Sequence, residues 1–301
     1  MNAAPSPAAR AGLVLAVLGA IGFSGKAIIV KLAYRHGVDP VTLLMLRMAF
    51  ALPLFAALAW WAGRGQPALT VRDWRVVGVL GFLGYYLASF LDFAGLQYVT
   101  ASLERLILYL NPTLVLLLGW LLHRQRVSAG QLRALALSYA GIVVTFGHEL
   151  RVEGGHVALG SALVFASAAS YALYLVLSGQ EVRRLGALRL TGLASTVACV
   201  LCLLQFLLLR PVDTLWTLAP PVWGLSMLNA ALCTVAPVLM VMMAIERIGA
   251  GAAAQAGMVG PVSTVLLGVL LLGEPLTPWV VAGTVLVLGG VAMLARQRPA
   301  A

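Results

Sequence analysis

The sequence predicts an all-α integral membrane protein, with ten transmembrane helices in two inverted five-helix repeats around a central cavity. Three observations carry this prediction: a strongly apolar composition, ten apolar segments of membrane-spanning length, and a likeness between the two halves of the chain. Of the 301 residues, 61% are hydrophobic and only 10% are charged, whereas soluble domains carry about 25% charged residues. So few polar side chains do not cover a surface that faces water.

The apolar segments are each long enough to cross a bilayer as a helix, which takes about 20 residues. They fall near residues 11–33, 40–62, 74–97, 101–122, 131–147, 157–178, 187–209, 221–245, 251–272 and 277–295. The first segment is too long for the core of a signal peptide, and we expect it to be retained. The segments between the spans are short, so a soluble catalytic domain is not expected.

The basic residues predict an orientation. If the N-terminus is cytoplasmic, thirteen arginines fall in cytoplasmic segments, whereas only Arg35, Arg151 and Arg210 fall in outer loops. The thirteen are Arg10, Arg64, Arg72, Arg75, Arg124, Arg126, Arg133, Arg183, Arg184, Arg189, Arg247, Arg296 and Arg298. Cytoplasmic loops are enriched in basic residues, so both termini are predicted to be cytoplasmic. The scatter of the net charge of +10 through short loops argues against a nucleic-acid partner.

The two halves resemble one another at a fixed offset. "ASLERLILYLNPTLVLLLGWLL" aligns with "AGAAAQAGMVGPVSTVLLGVLL", and the pairs Pro112 with Pro261, Gly119 with Gly268, and Gly141 with Gly290 are each 149 positions apart. Each half, residues 1–149 and residues 150–301, contains five predicted spans. Because five is odd, the halves cross the membrane in opposite senses. Inverted repeats of this kind are typical of transporters, whose substrate site lies between the repeats near the midplane.

These motifs resemble a known family. "LGEPLTPWVVAGTVLVLGGV", residues 272–291, closely matches the C-terminal box of EamA-type members of the drug/metabolite transporter superfamily. The first half departs from this box, since Gln125 stands where the second half has Glu274. The whole chain is most similar to YddG-type bacterial exporters of aromatic amino acids. This resemblance implies a ten-helix carrier of the bacterial inner membrane that moves amino acids out of the cytoplasm.

Ionisable residues inside predicted spans are costly, and we treat them as functional candidates. Lys26 has two interpretations: it faces the cavity and meets a substrate carboxylate, or it pairs with an acid such as Asp92 or reaches to an interface. Asp92 shares a helical face with Tyr85 and Ser89, which favours a cavity lining over a bond to a neighbouring helix. For Arg47 the sequence favours a structural pairing.

Tyrosines away from the membrane interface are a second sign of a cavity, because a buried hydroxyl needs a partner. Ordinary packing is the alternative for these rings and for the hydroxyl and small residues of spans 6, 8 and 9. The candidate cavity residues are Phe23, Ser24, Lys26, Tyr85, Ser89, Asp92, Tyr109, Tyr171, Tyr174, Asn229, Gln255 and Met258.

The fourth predicted span carries two further features. Glu104 and Arg105 align with alanines of the second half, so the shared scaffold does not require them. By the predicted orientation they lie about one turn inside the periplasmic end, close to water. They are candidates for an outer gate, with an interfacial ion pair as the alternative. Pro112 and its counterpart Pro261 predict bends in the middle of spans 4 and 9.

The predicted function is a secondary carrier that exports amino acids, aromatic or other apolar ones, by alternating access. Export of other metabolites or drugs, an intramembrane enzyme acting on lipids and a non-catalytic scaffold are the alternatives. No Walker A, H-E-x-x-H or G-x-S-x-G motif occurs, so neither enzymatic activity, a metal nor a cofactor is expected. The partners are a small amino acid-like substrate and the lipid bilayer. Coupling through protons on Asp92 or Glu104, or uncoupled diffusion, are both open.

Overall fold

The computed structural model describes residues 7–123, 128–153 and 156–295, which contain helices and no strands. The α-helices within these ranges are α1 (Pro7–Tyr34), α2 (Pro40–Gly63), α3 (Val71–Gly81), α4 (Ala88–Gly95), α5 (Ala101–Leu108), α6 (Asn111–His123), α7 (Ala129–Glu153), α8 (His156–Leu185), α9 (Ala187–Leu209), α10 (Pro220–Ala230), α11 (Ala236–Gly257), α12 (Val259–Leu267) and α13 (Pro278–Ala295). A 3₁₀ turn, Val212–Thr217, follows α9. The predicted all-helical fold is confirmed for these residues.

Eight helical stretches among the described residues are long and apolar enough to cross a membrane. They are Arg10–Tyr34, Pro40–Gly63, Val71–Gly95, Ala101–Leu122, Ala129–Arg151, His156–Gly179, Ala187–Leu209 and Pro220–Ile245, and they correspond to the first eight predicted spans. The ninth and tenth predicted spans fall on shorter apolar helical stretches, Val259–Leu272 and Pro278–Met293. The chain is therefore a multi-pass membrane protein.

The predicted boundary between spans 8 and 9 is wrong. The sequence predicts a connection at residues 246–250, whereas α11 continues through them and the helix is interrupted at Met258. Residues 246–257 contain no proline, so nothing there removes a backbone N–H from the helix. Glycine and alanine alternate over residues 249–252, and alanine favours helix.

The fourth predicted span is broken rather than smoothly bent. Thr100 caps α5 by accepting a hydrogen bond from the backbone N–H of Leu103 at 3.0 Å, and α5 ends at Leu108. The chain turns at Tyr109 and Leu110, and α6 begins at Asn111. Pro112 is the second residue of α6, where the missing N–H costs nothing because the first turn of a helix has no intrahelical acceptor for it. Pro261 is the third residue of α12, so it also lies in the first turn of its helix.

Short π-helical segments interrupt three of the spans within the described ranges. They are Phe82–Leu87 between α3 and α4, Ala231–Val235 between α10 and α11, and Gly268–Leu272 after α12. A π-turn displaces backbone hydrogen bonds and is frequent at functional sites. Hydroxyls of α8 reach the first segment, since Ser170 Oγ donates to the carbonyl of Leu83 at 2.8 Å and Ser167 Oγ to that of Ala88 at 2.7 Å.

The helices pack in three long pairs, α1 with α11, α2 with α9, and α7 with α13. Small residues set the closest approach. In the α7–α13 pair, a Cβ added to Gly141 would lie 2.7 Å from the carbonyl oxygen of Gly283, and one added to Gly283 would lie 1.9 Å from Thr145 Oγ1. Backbones come this near only where neither residue has a side chain, as is common between membrane helices.

At the end of the molecule where α1 ends and α5 begins, polar contacts connect neighbouring segments. Glu274, in the loop before α13, accepts hydrogen bonds from the backbone N–H of Ala101 at 2.7 Å and from Ser102 Oγ at 2.9 Å. Arg35 donates to the carbonyl of Leu272 at 2.6 Å, and Lys31 donates to that of Val99 at 2.5 Å. The carboxylate of Glu274 therefore satisfies free N–H groups at the start of α5.

Candidate functional site

A cavity of about 660 Å³ lies among the helices of both halves of the chain. This volume is within the range of roughly 300–1,000 Å³ that is common for small-molecule sites. Most of its wall is apolar or aromatic, and the described residues that carry this character are Phe23, Met48, Phe55, Tyr85, Leu108, Tyr109, Tyr171, Val238, Val241, Met242, Met258 and Val291. The cavity therefore suits a small ligand with an apolar body.

The predicted site residues fall into three groups. Those that line the cavity are Phe23, Lys26, Tyr85, Ser89, Asp92, Tyr109, Tyr171 and Met258, together with Arg105 and Pro112. Those that are buried away from its wall are Ser24, Tyr174, Asn229, Glu104 and Pro261. The side chain of Gln255 lies outside the part of the chain that the structure describes. A role in substrate contact stays a prediction for every one of these residues.

A buried ion cluster lies at the cavity wall. The ammonium of Lys26 on α1 forms an ion pair with Asp92 Oδ2 on α4, and it lies 3.0 Å from Glu104 Oε1 on α5. The residue Asp92 is 3% exposed and Glu104 is 0% exposed. One ammonium thus lies within ion-pair distance of two carboxylates from two other helices. Lys26 therefore pairs with Asp92, as one of its two interpretations states, and it also lines the cavity, whereas contact with a substrate carboxylate stays a prediction.

The expectation that Glu104 lies close to water and pairs at an interface is wrong. Helices α1, α8 and α12 pack against α5, and Glu104 is 0% exposed. Its charged neighbour is therefore Lys26 inside the protein and not solvent. Among the described residues, Glu104 and Arg105 form no ion pair with each other. The two neighbours in sequence therefore belong to different parts of the site.

Two arginines also line the cavity. Arg47 on α2 is 7% exposed; its Nε donates to Thr234 Oγ1 at 2.9 Å, and its guanidinium carbon lies 5.2 Å from the centroid of the Phe93 ring. Arg105 on α5 has its guanidinium carbon 5.4 Å from the centroid of the Tyr109 ring, and its Nη2 lies 3.4 Å from Ser24 Oγ. The sequence favoured a structural pairing for Arg47, and its partners here are a hydroxyl and an aromatic ring.

The interruptions of spans 4 and 9 meet at the cavity. The hydroxyl of Tyr109, at the end of α5, donates a hydrogen bond to the carbonyl of Gly257, which precedes Met258. A Cβ on Gly260 would lie 2.7 Å from Arg105 Nη2 and 3.0 Å from the Tyr109 hydroxyl oxygen, so glycine is needed for this approach. The broken segments thus bring side chains and backbone carbonyls of both halves to one wall.

Three tyrosines form a cluster at the side of the cavity. The hydroxyl oxygens of Tyr85 and Tyr174 lie 3.1 Å apart, and their rings meet edge to face with centroids 5.2 Å apart. The ring of Tyr171 lies 5.5 Å from that of Tyr174. Tyr174 packs behind the other two, which form the surface. Hydroxyls buried beside an apolar ring in this way satisfy each other.

Two other predicted site residues, Ser24 and Asn229, are buried away from the cavity wall. Ser24 Oγ lies 2.8 Å from each of the carbonyl oxygens of Ala20 and Gly260, and so connects α1 to α12. Asn229 is fully buried, and neither atom of its amide group has a hydrogen-bond partner among the described residues.

Sequence reasoning missed part of the cavity wall. The missed residues with polar atoms are Asn111, Thr191, Ser195 and Cys233, and the missed large apolar ones include Phe55 and Met242. A signal existed for Asn111, which directly precedes Pro112 in a span otherwise built of apolar residues. None existed for Phe55 or Met242, because side chains of this type are equally common on surfaces that face lipid.

No group of three or more metal-ligating side chains occurs among the described residues. The chemistry that this arrangement offers is reversible recognition, because the cavity lining holds charged groups of both signs together with aromatic rings. Such a site selects a ligand by charge and shape.

The sequence matches known proteins over nearly its whole length. The profile of the EamA-like transporter family matches residues 10–147 and again residues 158–296. The uncharacterized transporter YcbK of Bacillus subtilis (strain 168) is 31% identical over 279 residues, which cover 89% of this chain and 87% of that protein. The uncharacterized transporter YetK of the same organism is 23% identical over 283 residues, covering 93% and 86%.

A solved crystal structure has the same fold, with a TM-score of 0.63, 19% identity and coverage of 94% of this chain and 96% of the other. Two family matches in one chain, and a relative at 31% identity over most of both chains, are sufficient to assign the family. This multi-pass membrane protein, with a charged and aromatic cavity between its helices, belongs to the EamA-like transporter family.

Proposed function

We propose that this transporter is a secondary carrier that exports amino acids, aromatic or other apolar ones, from the bacterial cytoplasm by alternating access. The observation that carries the proposal is the cavity itself, whose lining combines ionic groups with aromatic and other apolar side chains. An amino acid has the same division between a charged head and an apolar side chain. Carriers of this kind need no catalytic group, and we propose that the protein is not an enzyme.

An inverted repeat would supply the two states that alternating access requires. Several features recur at the same offset of 149 positions. The π-helical segment that begins at Phe82 corresponds to the one that begins at Ala231, and the interruption at Tyr109 corresponds to that at Met258. Helix α1 packs on α11, while α8 packs on α4 and the neighbouring π-helical segment, which is the contact expected if the two halves exchange roles.

The orientation also belongs to this proposal. The excess of arginines in alternate connecting segments favours cytoplasmic termini in an inner membrane. With that orientation, the end held by Glu274 and Arg35 would face outward. The closed outer end and the cavity on its inner side would then correspond to a carrier ready to load substrate from the cytoplasm.

A second candidate is export of apolar amines or other metabolites. The observation that favours it is the predominantly apolar wall of the cavity, which would accept many apolar groups of similar size. The two candidates differ in the head group of the substrate, because an amine without a carboxylate presents only positive charge.

The test is flux in liposomes that contain the purified protein. We expect saturable efflux of labelled phenylalanine, leucine or a related amino acid, and acceleration by unlabelled substrate on the other side. An excess of unlabelled apolar amines should compete poorly. The proposal fails if a panel of the proteinogenic amino acids shows no flux above protein-free liposomes, and the second candidate gains if amines are carried instead.

A further inference from the structure

The cavity has an imbalance of charge. Among the described residues, its wall and the ion cluster contain three cations, Lys26, Arg47 and Arg105, and two anions, Asp92 and Glu104. Both anions lie within ion-pair distance of Lys26. The two guanidinium groups are therefore left without any described acid within 4 Å, and one positive charge is in excess.

Arg47 is the stronger indication. It is 7% exposed, and a buried cation without an anion is costly, so such a charge is retained in a membrane protein only where it has a use. The hydroxyl of Thr234 accepts the hydrogen bond from Nε and itself donates to the carbonyl of Asn229 at 2.9 Å. Because this contact uses only Nε, it fixes the guanidinium and leaves Nη1 buried without a partner.

Arg105 is positioned in a comparable way. Its Nη2 contacts Ser24 Oγ at 3.4 Å, and its guanidinium carbon lies 5.4 Å from the centroid of the Tyr109 ring, whereas its Nε is buried with no partner among the described residues. Two cations on α2 and α5 thus line one cavity, and each keeps one buried nitrogen without a hydrogen-bond partner among the described residues. Guanidinium groups fit carboxylates, which accept two parallel hydrogen bonds.

We propose that Arg47 and Arg105 bind the carboxylate of a monoanionic head group, and that Lys26 is not a substrate ligand but the counter-ion of Asp92 and Glu104. A single negative charge matches the excess of one positive charge. The aromatic rings of Phe23, Tyr85 and Tyr171 would then contact the apolar body of the same molecule. For an amino acid, the carboxylate of Asp92, which lines the same cavity, would be the acceptor for the ammonium.

This inference rests on the proposed function only in taking the apolar part of the substrate to be an amino acid side chain. Binding is therefore measured separately from flux. The probes share the 2-phenylethyl body and differ in the head group: 3-phenylpropionate, its neutral amide, phenethylamine and 2-phenylethyl phosphate. We expect purified protein in lipid nanodiscs to bind 3-phenylpropionate at least tenfold more tightly than the amide or the amine. Equal affinity for the amide, or tighter binding of the dianionic 2-phenylethyl phosphate, overturns the proposal.

The variants Arg47→Gln and Arg105→Gln keep hydrogen-bonding capacity but remove the charge. Each should weaken binding of 3-phenylpropionate by about 10- to 100-fold, as for loss of a hydrogen bond to a charged group, and should leave binding of the neutral amide unchanged. Arg47→Lys should retain part of the preference. Arg183→Gln, which removes an exposed arginine whose Nε lies 3.4 Å from the carbonyl of Gly179, is the matched control and should bind like the wild type.

The outcomes separate this proposal from the preceding one. If 3-phenylpropionate binds with the expected arginine dependence but no amino acid is carried, the carboxylate site stands and the export function fails. If phenylalanine is carried, but phenylalaninamide is carried equally well and both arginine variants keep normal flux, the export function stands and the carboxylate site is refuted. Preserved thermal stability of the variants shows that a loss of binding is not a loss of folding.

Discussion

Replacing Lys26 with methionine removes the one described cation that lies within ion-pair distance of Asp92 and Glu104. Breaking a buried ion pair by deleting one partner costs about 3–5 kcal/mol, because the remaining charge stays in a medium that solvates it poorly. The upper part of this range applies, since Glu104 is 0% and Asp92 3% exposed and a single ammonium serves both. The ion cluster therefore predicts that a substitution at Lys26 affects stability as well as transport.

The assay is thermal unfolding of detergent-solubilised protein, followed by the fraction that remains monodisperse. A stability change of 1 kcal/mol shifts the melting temperature of a long chain by about 2 °C, so we expect Lys26→Met to lower it by roughly 8–10 °C. Adding Glu104→Gln to this variant removes one of the two orphaned charges and should restore about half of the loss. The reasoning is refuted if Lys26→Met melts within about 2 °C of the control Arg183→Gln.

Three further predictions concern the scaffold and the tyrosines. Glu274→Gln should lower stability by roughly 1–2 kcal/mol, because the charged acceptor at the start of α5 is lost; an unchanged melting temperature contradicts the role assigned to this contact. Gly283→Ala should reduce the yield of monodisperse protein, since its Cβ would lie 1.9 Å from Thr145 Oγ1, and a normal elution profile counts against the packing. Tyr85→Phe should keep phenylalanine flux within about fivefold, as one hydroxyl contact to Tyr174 is worth about 1 kcal/mol. Tyr85→Ala should reduce the flux at least tenfold, and equal flux in the two variants excludes the ring from the site.

Much of the fold follows from local sequence. Helices are required wherever an apolar segment crosses a bilayer, because every backbone polar group must be bonded internally, and this predicted the first eight spans. Pro112 gave a local warning of the interruption next to it. The π-helical segments gave no such warning, since a shift of hydrogen bonds by one residue leaves no mark on composition. The course of α11 was missed because a connection rich in alanine and glycine reads equally as loop or helix.

The site was predictable in composition but not in pairing. Lys26 and Asp92 could be named as partners because each is the rare charge of its own span. Glu104 was assigned to the interface by its distance from the end of its span, although depth alone does not determine which helices surround a residue. The same limit applies to Arg47, whose partners Thr234 and Phe93 come from distant parts of the chain and carry no complementary charge.

The central claim is that the cavity is the path of the substrate, and a cavity thiol tests it most directly. Ser89 lines the cavity, as does the native Cys233. In a variant whose three cysteines are replaced by alanine and in which exchange of labelled phenylalanine has been verified, Ser89→Cys is added and then modified with a methanethiosulfonate reagent. The account predicts that exchange stops on modification and that excess phenylalanine slows the modification. Exchange that continues at its initial rate after complete modification, measured by mass spectrometry, would contradict it.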